Sequence, residues 1–147
     1  MNSPARPQPL AALPRTRIKM CGFTREADVD AAVAAGADAL GFVLYAKSPR
    51  AVTAERAGEL ARRLPPFVTP VLLFVNPSLD EVRAGCAAVP GAALQFHGDE
   101  TPATCAQLAA AVQRPYLKAA RIPLAAAQDF DLLEFAHDFA QAQALLL

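Results

Sequence analysis

Apolar residues along this chain come in short runs, separated by longer stretches in which apolar and polar positions alternate with helical spacing. The strand-like runs are 17–21, 39–45, 70–75, 92–97, 116–120 and 143–147. Helix-like segments lie between them, near 25–35, 53–64, 78–89, 101–112 and 124–139. Helix starts carry capping residues. Thr24 precedes Arg25-Glu26, Thr53 precedes Ala54-Glu55, and Ser78 stands three before Glu81 as in a capping box. Thr101-Pro102 puts a proline at a first helical position, and Gly36 falls where a helix should end. Strand starts recur about every 25 residues, a βα repeat that predicts a parallel sheet with helical crossovers. Two architectures produce that repeat. A doubly wound sheet usually carries a Gly-rich phosphate loop after its first strand, whereas Cys21-Gly22-Phe23-Thr24 holds one glycine. A barrel of eight βα units fits the repeat length but takes about 200–250 residues or more, so this chain falls about two and a half units short.

The 147 residues suit one domain. Hydrophobic content of 54% sits slightly above the ordinary globular range, and much of the excess is alanine in helix-like runs such as Ala31-Ala32-Val33-Ala34-Ala35. Fourteen basic residues balance fourteen acidic ones, so bulk charge draws the chain neither to nucleic acid nor to an anionic membrane. No apolar run reaches the ~18 residues of a membrane span. Cys21, Cys86 and Cys105 are odd in number and lack metal-ligand spacing, which fits a reducing cytoplasm. Residues 1–16 hold four prolines and two arginines with no acid, and lack the apolar core of a signal peptide. They read as a disordered or extra N-terminal arm ahead of a domain at 17–147.

Candidate chemistry clusters at strand ends. Lys19 and Cys21 share one face of the first strand, while Ile18 and Met20 share the other. An ammonium beside a thiol favours the thiolate, the form a base or nucleophile needs. The competing reading of Cys21 is a small buried hydrophobe. The second strand runs into Tyr45-Ala46-Lys47-Ser48-Pro49-Arg50, where Arg50 offers a planar fork for a carboxylate or phosphate, or is simply solvated. The fourth strand ends Gln95-Phe96-His97-Gly98-Asp99-Glu100, with Gln95 and His97 on one face. His97 suits a ligand contact or a structural hydrogen bond. His137, inside a helix, reads as a surface or packing residue.

Taken in order, Lys19-Met20-Cys21-Gly22-Phe23-Thr24, Gly41 to Arg50 and Gln95 to Glu100 resemble phosphoribosylanthranilate isomerase. Leu64-Pro65-Pro66-Phe67-Val68, Leu73-Phe74-Val75-Asn76 and Leu117-Lys118-Ala119 agree with it, and the likeness runs from about Arg17 to Leu147. The resemblance implies an α/β fold of the TIM (β/α)8-barrel family, here about six parallel strands and five helices. It implies an Amadori rearrangement of N-(5′-phosphoribosyl)anthranilate in tryptophan biosynthesis, with no metal or organic cofactor. Carried over by position, Cys21 becomes the general base and Arg50 the holder of the anthranilate carboxylate, while Lys19 and His97 line the pocket. Met20 stands where isoleucine is usual and should face the helices.

The same resemblance places the general acid, an aspartate, directly after Leu145-Leu146-Leu147, where this sequence stops. The phosphate-gripping loops of the seventh and eighth strands are likewise outside it. The expectation is therefore a chain that ends inside the sixth strand and is inactive alone. Two other readings stand beside it. One is a noncatalytic partial barrel that associates with another chain through its open edges. The other is a different phosphosugar-binding barrel on the same scaffold.

Overall fold

A computed structural model describes residues 15–122 and 130–147. Six parallel strands, β1 (Lys19–Cys21), β2 (Ala39–Val43), β3 (Thr69–Phe74), β4 (Ala93–Phe96), β5 (Tyr116–Ala119) and β6 (Ala144–Leu146), pair in chain order. Helices α1 (Glu26–Ala34), α2 (Ala54–Ala61), α3 (Leu79–Ala88), α4 (Pro102–Val112) and α5 (Leu132–Asp138) connect them. The order β1-β2-β3-β4-β5-β6, with every pair parallel, has no reversal point, so the doubly wound alternative is excluded and the sheet is a barrel arc. The first part of the helix expected at 124–139 lies outside the described residues.

Alternation along the strands builds two surfaces. Leu40, Phe42, Leu72, Phe74, Leu94, Phe96 and Tyr116 point outward and form the main core against the helices. Phe74, Phe96 and Tyr116 stack across neighbouring strands, with ring centroids 6.4 and 5.8 Å apart. Gly85 lets α3 close on this layer, because a side chain there would meet Leu44, Leu72 and Phe74 at 3.0–3.1 Å. The register places Lys19, Cys21, Ala39, Gly41, Val43, Val71, Leu73, Ala93, Gln95, Leu117 and Ala119 on the opposite, inner face. Met20 lies on the outer face as alternation requires, yet it is 43% exposed. β1 is an edge strand, paired with β2 alone among the described residues.

Most helix starts follow the sequence signals. Thr53 accepts from the Arg56 amide at 3.1 Å, Thr101 from the Thr104 amide at 3.2 Å, and Ser78 and Glu81 form a full capping box. The signal at Thr24 does not hold. The N-cap of α1 is Arg25, which makes no side-chain cap bond and instead pairs with Asp28 through two 2.8 Å bonds. The Thr24 carbonyl accepts from Arg56 on α2 at 3.2 Å. At the amino ends of the strands, Asp38 accepts from the Ile18 amide at 2.9 Å and pairs with Arg17 at 3.0 Å and with Arg15. Arg15, placed in the N-terminal arm by sequence, is thus held to the start of β2.

Candidate active site

Three of the four sequence-derived candidates stand at the carboxyl end of the sheet. Cys21 closes β1, His97 follows β4 directly, and Arg50 lies in the loop between β2 and α2. Lys19 sits one turn of the pleat below Cys21 on the same inner face, opposite Ala39. Carboxyl-end loops carry ligands in βα folds, because the strands hold side chains rigidly while the loops vary.

Cys21 and Arg50 are brought together by local geometry. Cys21 pairs in register with Gly41, and a β-carbon on Gly41 would lie 2.6 Å from the Cys21 sulfur. The glycine therefore makes the space the thiol occupies. Past β2, Ser48 accepts from the Arg50 amide at 3.2 Å, and Ala51 bridges back to Val43. That turn aims Arg50 across the end of β1, where its Nη1 donates to the Cys21 carbonyl at 2.8 Å. Gly22, at φ +98°, is required beneath it: a β-carbon there would lie 2.3 Å from the Arg50 guanidinium. Arg50 stays exposed, with further donors of its fork open to a ligand.

His97 donates its backbone N–H to the Phe74 carbonyl at 2.9 Å, so its position is set by β3 as well as β4. Partial desolvation, then the positive charges of Arg121, Lys118 and Lys19, hold its imidazole below the ordinary histidine pKa, with Glu100 opposing them. The neutral ring dominates at neutral pH and offers one donor and one acceptor.

Two groups escaped the sequence reading. Gln95 lies 3% exposed on the inner face, and its Oε1 has no hydrogen-bond partner among the described residues. Its alternation with His97 was the available signal. Glu100 and Lys118 form a buried ion pair at 2.7 Å, with side chains 2% and 4% exposed. Nothing local marked them, since they are 18 residues apart and Lys118 interrupts an apolar strand. Cys86 and Cys105 lie on the outer helices α3 and α4, and burial raises both thiols, Cys105 to about 11. His137 is exposed on α5, as expected. Among the described residues no cluster of His, Cys, Asp or Glu could hold a metal ion, and no helix is long and apolar enough to cross a membrane.

An arc of parallel βα units with its reactive side chains at the strand carboxyl ends defines a protein of the TIM-barrel class. Comparison with known proteins narrows that class. The chain belongs to the N-(5′-phosphoribosyl)anthranilate isomerase family, whose model matches residues 18–147. It is 66% identical over 133 residues to N-(5′-phosphoribosyl)anthranilate isomerase of Methylibium petroleiphilum, covering 90% of this chain and 59% of that protein. The crystal structure of phosphoribosyl anthranilate isomerase from Thermotoga maritima superposes with a TM-score of 0.78 at 32% identity, over 90% of this chain and 61% of that one. A phosphoribosyl anthranilate isomerase crystallised with reduced 1-(o-carboxyphenylamino)-1-deoxyribulose 5-phosphate superposes at 0.69 with 36% identity, over 74% of this chain and 55% of that one. The chain spans less than two thirds of the length of these relatives.

Proposed function

We propose that this chain carries the base and the carboxylate-recognition half of a phosphoribosylanthranilate isomerase site. The reaction converts N-(5′-phosphoribosyl)anthranilate to 1-(2-carboxyphenylamino)-1-deoxyribulose 5-phosphate, as in tryptophan biosynthesis. The observation that carries the reading is the placement of Arg50 on the carbonyl of Cys21, within a family match that spans 18–147. The product-like ligand of the related crystal structure supports the substrate class.

In this reading the remaining donors of Arg50 hold the anthranilate carboxylate as paired hydrogen bonds. Protonation of the ribose ring oxygen breaks its bond to C1′, and the nitrogen lone pair forms an iminium. The Cys21 sulfur then takes the proton from C2′, and the electron pair neutralises the iminium to an enolamine, which tautomerises to the ketone. Lys19, Gln95 and His97 line the inner wall and meet the sugar oxygens. The proton donor to the ring oxygen is assigned to an aspartate beyond Leu147, so the 147-residue polypeptide by itself turns over little substrate. The reading needs no metal or organic cofactor and places the reaction in the cytoplasm.

A second reading, association through the sheet edges, draws on β1 and β6, each paired on one side only among the described residues. Phe67, 98% exposed between α2 and β3, adds apolar surface, and one structural neighbour is a set of monomers generated from a dimeric phosphoribosylanthranilate isomerase of Thermotoga maritima. The test of both is loss of phosphoribosylanthranilate fluorescence, run beside sedimentation. One sample is the 147-residue protein, and the other is the same chain joined at Leu147 to the remaining C-terminal part of the Methylibium relative. Turnover appearing in the longer protein alone supports the isomerase reading. No turnover from a well-folded longer protein overturns it, and a monodisperse, monomeric 147-residue chain overturns the association.

A further inference from the structure

The loop that follows β4 is held by a buried cluster of charge and backbone that the proposed reaction does not use directly. Both polar groups of the Gly98 peptide are engaged by it. The Gly98 amide donates to the two Glu100 carboxylate oxygens at 3.2 and 3.0 Å, and the Gly98 carbonyl accepts from Lys118 Nζ at 2.9 Å. Lys118 Nζ also donates to Glu100 Oε2 at 2.7 Å and lies 5.2 Å over the Phe139 ring. Glu100 Oε1 accepts from the Asn76 amide at 2.7 Å, and Asn76 Oδ1 accepts from the Asp99 amide at 2.8 Å. Asn76 adopts φ +49°, one of three non-glycine residues described with positive φ. A side chain at position 98 is excluded, because its β-carbon would meet Asn76 Oδ1 at 2.5 Å and Glu100 Oε1 at 2.8 Å.

Each of these residues sits on a different support: Asn76 after β3, Glu100 before α4, Lys118 on the outer face of β5. Their meeting point is the residue next to His97. A charge pair removed from water this completely is costly unless its remaining hydrogen bonds are met, and here they are met by backbone groups of the loops after β3 and β4. Surface pairs on the same protein, such as Arg63 with Asp30, tie helices together without touching the strand ends. We propose that Glu100 and Lys118, with Asn76, are positioning residues for His97, clasping the Gly98 peptide so that the imidazole is held over the inner mouth of the barrel. The proposal rests on the isomerase reading only for what His97 is positioned to do.

The test uses the whole 147-residue chain, labelled with nitrogen-15, and follows amide exchange together with the His97 imidazole titration. Groups facing His97 are Lys19 on β1, Lys118 on β5, Arg121 beyond β5 and Glu100 in its own loop. Glu100→Gln removes a negative charge, so a bystander role lowers the His97 midpoint further. Release of the loop instead returns the ring to water and raises the midpoint toward ~6.5. The expected result is the rise, with the Gly98 amide exchanging about tenfold faster or more while the Leu40 amide in β2 is unchanged, as a local opening requires. Glu100→Asp keeps the charge but withdraws the carboxylate by one methylene, and is expected to move both readouts the same way by less. Val82→Ala, a core truncation elsewhere, should speed both amides together and leave His97 in place. A His97 midpoint that falls or stays put, or Gly98 exchange that tracks Leu40 in the two Glu100 variants, overturns the proposal. Neither readout needs turnover. Full isomerase activity of a His97→Ala variant of the chain completed at Leu147 would remove the catalytic setting and leave the clasp standing.

Discussion

One missing side-chain atom and one planar fork decide much of the site. Gly41 has no β-carbon, and the Cys21 sulfur fills that space. Gly41→Ala is expected to destabilise the protein by about 1–3 kcal/mol through overpacking and to displace the thiol, read as a shift in urea midpoint and slower alkylation of Cys21. At Arg50 the planar fork matters more than the charge. Arg50→Lys should erase the preference of the completed barrel for its substrate over an analogue lacking the anthranilate carboxylate. If variant and wild type discriminate equally, Arg50 is not the carboxylate contact. Cys105, fully buried with its thiol raised to about 11, should be the last of the three cysteines to react with iodoacetamide at pH 8. Modification of Cys105 ahead of Cys21 in the folded protein would contradict the burial order.

Element by element, the strand and helix patterns were legible because β2, β3, β4 and β5 are short, largely buried apolar runs and α1 to α4 each bury residues against them. The βα order, the six strands and the carboxyl-end placement of Cys21, Arg50 and His97 follow from that alone. What the pattern could not show depends on partners distant in sequence. Thr24 looks like a cap, but Arg56 from α2 takes its carbonyl and Arg25 occupies the N-cap. Met20 looks covered, but its strand is an edge. Lys118 stands in an apolar strand with no local sign of a partner, and Glu100 closes on it from another loop. The caps give a direct comparison. Ser78→Ala loses a reciprocal box and should cost about 1 kcal/mol in denaturant unfolding, within a range of ~0.5–2. Thr24→Ala removes no cap bond and should change stability by less than ~0.5 kcal/mol. Equal losses at the two sites would contradict the assignment of the α1 cap.

Across the molecule, charge links stability to pH in two windows. Arg56 beside Glu26 holds that carboxyl at about 2, and arginine partners lower Asp28, Asp30 and Asp38 as well. Carboxyls with depressed folded pKa values contribute stability that is present above their ordinary range of ~3.9–4.3 and is lost as pH falls through the folded values. These pairs are at the surface, so the loss should be gradual and should shrink in high salt. His97 is the other window. Its folded pKa is depressed, so the unfolded chain binds the proton first, and stability should decline as pH falls from ~6.5 toward the folded value. A His97→Gln protein should lack that upper slope while keeping the acid one, measured as thermal midpoint against pH.

The most direct check on the whole account is the turnover of Cys21→Ala in the chain completed at Leu147 with the C-terminal part of its Methylibium relative. Phosphoribosylanthranilate consumption is followed by fluorescence, and affinity for the reduced product analogue is measured on the same protein. A base acts in the transition state rather than in ligand binding, so turnover should fall about 10²–10⁴-fold while analogue affinity holds. Turnover close to that of the unsubstituted completed protein would contradict the assignment of Cys21 as the base, and with it the chemistry ascribed to this end of the sheet.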